Sequence, residues 1–94
     1  MELLRETDIE NLRKNKSDKA IVKLFNPYGA GTWWLHNYCD EEEEIVWGWA
    51  MINCDTPEYG TIPLKQIREL KMFGVSPIER DMYFEPCNIN DMEY

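Results

Sequence analysis

The chain has 94 residues, a formal net charge of −8, and a composition that is 44% hydrophobic, 13% aromatic and 30% charged. That length fits one domain with one core and leaves no room for a second, and the hydrophobic content excludes a disordered polyelectrolyte. The longest apolar run, residues 45–52, falls well short of the roughly 20 apolar residues of a membrane helix, so no membrane association is expected.

In chain order, the first residues place charges on both sides of a short apolar pair, Leu3-Leu4. That pattern does not match a secretory leader, and a cytoplasmic location is expected. Thr7-Asp8-Ile9-Glu10 has capping-box spacing, which predicts a helix starting at Thr7. Arg13 and Lys14 suit its negative end, and Ile9 and Leu12 give it a short apolar stripe. Residues 20–25 are apolar and rich in β-branched side chains, which predicts a strand that stops at Asn26-Pro27. The run 26–31 has turn chemistry, and without a Gly-Lys-Ser/Thr entry into a helix it is no phosphate loop. Strands follow at 32–38, 45–53 and 59–62, with the acidic run 40–44 as the bend between the first two. Along the middle strand, Ile45, Trp47, Trp49 and Met51 alternate with Val46, Gly48, Ala50 and Ile52. The small pair Gly48 and Ala50 is expected to admit a helix.

Pro63 is expected to open a second helix, where a missing amide costs nothing. Leu64, Ile67 and Leu70 form its buried stripe, and Gly74 is its stop. Residues 78–84 read as a last extended piece. The expectation is an α+β single domain, a small antiparallel β-meander of four to five strands with two short helices, spanning residues 1–84. Residues 85–94 follow as a polar C-terminal tail. Adjacent Trp33 and Trp34 must point to opposite sides of a strand, so both sheet faces carry apolar surface.

Residues 26–61 hold no Lys or Arg, seven acids and all four tryptophans. An acidic, aromatic centre of this kind argues against direct nucleic-acid binding and for a protein partner with a basic or apolar face. The candidate contact residues are Trp33, Trp34, Trp47, Trp49 and Tyr38, with Glu41, Glu42, Glu43 and Glu44 as an acidic docking patch. Cys39, Cys54 and Cys87 show no CxxC spacing. A zinc site combining them with His36 would need two close ligand pairs, so no metal and no cofactor is expected. His36, the sole histidine, reads as a strand-surface side chain. In Ile78-Glu79-Arg80-Asp81 the carboxylates could serve a metal or acid–base chemistry. The stronger reading is that Arg80 pairs with Glu58 or another acid to pin the last strand.

Two stretches carry a resemblance. One is Val22-Lys23-Leu24-Phe25-Asn26-Pro27 with Gly29-Ala30-Gly31-Thr32-Trp33. The other is Pro57-Glu58-Tyr59-Gly60-Thr61-Ile62, followed by Leu64 and Leu70, and then Ile78-Glu79-Arg80-Asp81-Met82-Tyr83-Phe84. Together, over roughly residues 20–85, they resemble an uncharacterised family, a domain of unknown function, of short proteins encoded on bacterial plasmids, integrative elements and phages. Pro63 stands where that pattern tends to offer Ser, and His36-Asn37 replaces a Thr-Glu type pair. The resemblance implies a compact domain from a mobile element and no particular activity. Its matched polar residues, Lys23, Asn26, Thr32, Glu58, Glu79, Arg80 and Asp81, are the candidates for any shared site.

The expected function is therefore a non-catalytic protein-binding accessory module, in its most concrete form an inhibitor of a host nucleic-acid-handling defence protein. One alternative is a small enzyme or ligand-binding domain built on Glu58, Glu79, Arg80 and Asp81. Another is an accessory domain that forms homo-oligomers through an open sheet face.

Overall fold

A computed structural model describes residues 3–52, 55–70 and 77–91. Helix α1 spans Glu6–Lys14, with Arg5 as its N-cap. The cap is built by Asp8, whose Oδ2 accepts the Arg5 amide at 3.1 Å, so the helix starts upstream of the Thr7 box the sequence suggests. Leu12 is fully buried, as its stripe position requires.

The next residues form β1, Lys19–Ala20, and β2, Val22–Phe25. They are separated at Ile21, whose amide donates to the Leu35 carbonyl at 2.9 Å. Strands β3, Thr32–Asp40, β4, Ile45–Met51, and β5, Glu58–Pro63, complete the meander. Helix α2, Leu64–Glu69, follows directly, with Pro63 as its cap. Leu64 and Ile67 are buried, but Leu70 lies outside the helix and is 44% exposed. Gly74, the proposed stop, lies outside the described residues. The last pieces are β6, Glu79–Arg80, and β7, Cys87–Asn88, with a 3₁₀ turn at Ile89–Asp91.

Five strands form one antiparallel sheet in the order β5-β4-β3-β2-β6, while β7 pairs with β1 in a separate two-stranded ladder. The fold is thus a single α+β domain, and its Cα radius of gyration of 12.4 Å is about that of one compact unit of this length. The segment read from sequence as a polar tail contributes β7. Of the extended piece expected at 78–84, Glu79–Arg80 is strand; Asp81 then turns the chain, accepting the Phe84 amide on its carbonyl and the Tyr83 amide on its carboxylate.

One sheet face carries the core. Val22, Leu24, Trp33, Leu35, Val46 and Ile62 pack with Leu4 and Leu12 from the N-terminal region, Leu64 and Ile67 from α2, and Ile78. Both helices therefore serve the same face. Gly48 lies on that face but does not admit a helix. A Cβ there would sit 2.3 Å from the Trp34 carbonyl oxygen and 3.1 Å from Ile62 Cδ1. The glycine instead lets β3 and β4 approach next to a register shift between Leu35 and Asn37. At Gly31, φ is +128° and a Cβ would lie 2.7 Å from the Trp33 ring, so the β2–β3 turn requires glycine. Among the described residues no helix is long and apolar enough to cross a membrane.

Candidate functional site

Strand pairing places Trp34 opposite Trp49, and Trp49 opposite Tyr59, in one row across the face away from the helices. The four tryptophans separate by environment. Trp33 is in the core, and Trp34 is fully buried on the other face, with Lys23 Nζ 5.9 Å from its ring centroid. Trp49 is half-buried, while Trp47 is 37% and Tyr59 51% exposed. Trp47 and Tyr59 stack with centroids 5.8 Å apart and planes 7° from parallel; Trp49 tilts against Tyr59 at 4.8 Å. Stacked and tilted ring pairs at these separations are mutually attractive and hold one another in place.

His36 braces this group. Its ring lies 5.5 Å from Trp49 and 6.0 Å from Tyr59. Nε2 is 2.6 Å from the Ser17 carbonyl oxygen, which can only accept, so Nε2 carries a proton. In the neutral ring Nδ1 then accepts from the Tyr59 hydroxyl, 3.0 Å away. Burial raises the Tyr59 phenol above its ordinary value, which keeps it a donor. The result is an exposed aromatic surface whose orientation is fixed before any ligand arrives.

Sequence reasoning named neither His36 nor Tyr59 for this site. Tyr59 falls opposite Trp49 only through the β4–β5 register, and no residue pattern shows that. Tyr38, named as a candidate contact residue from the sequence, instead packs against the core. The irregularity between Leu35 and Asn37 inserts one residue, so Asn37 faces Trp47, and Tyr38 lies opposite core-facing Val46. Burial, with the charges of Glu41 and Glu44, raises the Tyr38 phenol.

The acidic bend is largely clasped from within. Arg13 of α1 donates to both carboxylate oxygens of Glu41, at 2.7 and 2.9 Å. Arg68 of α2 binds Glu44 through both amino groups, and Lys65 lies 3.7 Å from Glu43. Asp40 accepts the Glu43 amide at 3.1 Å, and Glu44 takes φ of 55° to complete the turn. Within the bend, Glu42 has no ion-pair partner among the described residues. The Arg13 hydrogen bonds and charge hold Glu41 below the usual carboxylate range and raise the guanidinium above its own.

Of the polar residues of the matched motifs, Lys23, Glu79, Arg80 and Asp81 gather where β2 pairs with β6, and Glu58 lies at the far edge of the sheet. Arg80 donates to both oxygens of Asp8, at 2.7 and 2.8 Å, so its partner is Asp8 and not Glu58. Lys23 lies 3.7 Å from Asp81, and the Asp81 amide donates to the Lys23 carbonyl. Asn26 shapes its turn by accepting the Tyr28 amide at 3.0 Å, and Thr32 pairs with Phe25 and Met51. Glu79 is exposed on β6, whereas Glu58 is on β5 at the opposite edge of the sheet. Glu58 and the 79–81 carboxylates therefore share no concavity.

A groove of about 280 Å³ opens between the sheet and α2, walled by Trp33, Ala50, Ile62, Ile67 and Leu70. Its described lining includes no titratable side chain, so it offers apolar contact and no acid–base chemistry. Cys39 is exposed and Cys87 half-buried; Cys54 lies outside the described residues. Among the described residues no three His, Cys, Asp or Glu side chains gather as metal ligands.

No curated protein and no solved structure matches the chain. A family model described as a protein of unknown function does match, over residues 1–89. The chain therefore belongs to the DUF2958 family, the uncharacterised kind of domain that its two motif stretches resemble.

Proposed function

We propose that this domain is a non-catalytic protein-binding module whose contact surface is the open end of the aromatic face, formed by Trp47, Trp49 and Tyr59. The observation that carries this reading is the stacked, exposed Trp47–Tyr59 pair, held in place by the hydrogen bond from Tyr59 to His36. Rigid aromatic side chains with a polar anchor lose little entropy on binding, and such residues dominate contact energies at protein interfaces. The dispersed motif carboxylates favour a binding role over acid–base catalysis, which needs groups converging on one reacting centre.

The partner is an apolar or basic protein surface. The clasped bend contributes less to that attraction than its composition suggests, so exposed Glu58, next to Tyr59 along β5 and without an ion-pair partner among the described residues, matters more. In its most concrete form the partner is a nucleic-acid-handling defence protein presenting a basic channel, inhibited by a module from a phage or other mobile element. The test is affinity capture from a bacterial lysate with the wild-type chain and with a Trp47→Ala/Tyr59→Ala variant, compared by quantitative mass spectrometry. A stoichiometric partner is expected with the wild type and is lost by about 30-fold in the variant, as truncation of a hot-spot aromatic predicts. The same proteins captured by both chains, or none by either, would overturn the reading.

A further inference from the structure

The geometry points to strand addition: an extended, basic segment of the partner pairs antiparallel with the outer edge of β5 and lays its side chains beside Tyr59. This rests on the reading of Trp47 and Tyr59 as the contact surface and names how the partner reaches it. Among the described residues β5 ends the sheet order, and its one strand partner is β4. The Leu64 amide donates to the Glu44 carbonyl at 3.0 Å, which fixes the parity of the ladder. Stepping back two residues at a time, Ile62, Gly60 and Glu58 exchange hydrogen bonds with Val46, Gly48 and Ala50. Tyr59 and Thr61 must then turn their N–H and C=O groups outward, and both residues are exposed. An edge with unpaired backbone groups is a template for another extended chain.

The window is short, because Pro57 and Pro63 bracket it and Pro63 has no N–H to offer. The side chains around it define what fits. Partner residues opposite Tyr59 and Thr61 project onto the aromatic face, where an Arg would stack over Tyr59. The residue opposite Gly60 projects onto the other face, where a Cβ on Gly60 itself would meet nothing within 4 Å, so an apolar side chain has space there. The residue opposite exposed Glu58 is best basic. Read along an antiparallel partner, the preferred order is any residue, apolar, Arg, Lys. A second copy of this chain is disfavoured, since each copy carries a net charge of −8.

The probe is a hexapeptide containing Thr-Leu-Arg-Lys, titrated into the full, isotope-labelled chain while amide hydrogen exchange is followed by NMR. In the free protein the Tyr59 and Thr61 amides are expected to exchange much faster than those of Gly60 and Ile62, which face β4. Saturating peptide is expected to slow Tyr59 and Thr61 at least about tenfold, and N-methylation of the peptide backbone is expected to abolish that protection. Tryptophan fluorescence that changes equally with both peptides, with the two amides unprotected, would overturn strand addition and leave the aromatic contact surface standing. No response to either peptide at millimolar concentration would also overturn it, and the lysate capture then judges the aromatic surface independently. Protection that instead rises with protein concentration alone would assign the edge to self-association and overturn the heterologous partner.

Discussion

Asp8 and Arg80, 72 positions apart in the chain, form a two-pronged ion pair in which the carboxylate is fully buried. The same carboxylate accepts the Arg5 amide that starts α1, so one side chain both caps the first helix and anchors the strand at the β2 edge of the sheet. Removing half of a buried pair leaves the other half desolvated and uncompensated. Asp8→Asn is therefore expected to destabilise the fold by about 3 kcal/mol. That is a large fraction of the total for a domain of this size, and urea unfolding measures it directly. Replacing Arg80 by Leu in the Asp8→Asn background should recover part of the loss, since no buried charge then remains.

The acid limb of stability should carry the signature of this pair. Burial alone would raise the Asp8 carboxyl, but the Arg80 hydrogen bonds, the Arg5 amide and the Arg80 charge outweigh it and hold the group below its ordinary value. A carboxyl lowered in the folded state contributes stability that is complete above its unfolded value of about 4. That contribution is lost as pH falls through the lower folded value. The stability gap between wild type and Asp8→Asn should thus be flat above about pH 5 and shrink below pH 4. A gap that widens on acidification would contradict the assignment.

Two glycines on neighbouring strands should respond very unequally to the same substitution. Gly48→Ala drives a methyl group against the Trp34 carbonyl oxygen at 2.3 Å, a backbone atom that cannot swing aside. It should cost about 3 kcal/mol, at the upper end of overpacking effects. Gly60→Ala meets nothing within 4 Å and should change stability by less than about 1 kcal/mol. Thermal melts of the two variants side by side make the comparison.

Releasing the acidic bend should matter only when charges are unscreened. The Arg13–Glu41 and Arg68–Glu44 pairs are substantially exposed. A combined Arg13→Gln/Arg68→Gln variant should melt a few degrees lower in dilute buffer. The difference should vanish near 1 M salt, where the screening length is about 3 Å. A deficit that survives high salt would show that the side chains act through packing and not through charge.

The thiols offer a solution check on the C-terminal pairing. Cys39 is exposed, whereas Cys87 is half-buried in the ladder with β1, where burial and then the Asp91 charge push its thiol up. Labelling with a thiol-specific reagent near neutral pH, read by peptide mass mapping, should modify Cys39 well before Cys87. Equal rates would mean that the Cys87–Asn88 strand is not held in place.

Much of the fold is legible in the residues because local chemistry and pattern agree. The β-branched run before Asn26-Pro27, the alternation of Val46, Gly48 and Ala50 with the tryptophans, and Pro63 ahead of Leu64 each locate an element to within a residue or two. What the pattern cannot show is pairing. The inserted residue near His36 moves Tyr38 to the core face, and strict alternation has no means of anticipating it. The partner of Arg80 was open because Asp8 and Glu58 are chemically alike in sequence, and only the strand order brings one near and sends the other to the far edge. The aromatic face was half visible: Trp47 and Trp49 stand out by composition, while His36 and Tyr59 join them through contacts between strands.

Because Arg13, Lys65 and Arg68 answer Glu41, Glu43 and Glu44, the negative charge concentrated at the bend is much reduced. Further exposed acids lie well apart along the chain, among them Asp18, Asp55, Glu58, Glu79 and Glu85. A cationic visitor at long range would sense total charge and receive little guidance on where to land. Choosing a landing place is left to the last few ångströms, where ring faces and backbone amides take over from the field.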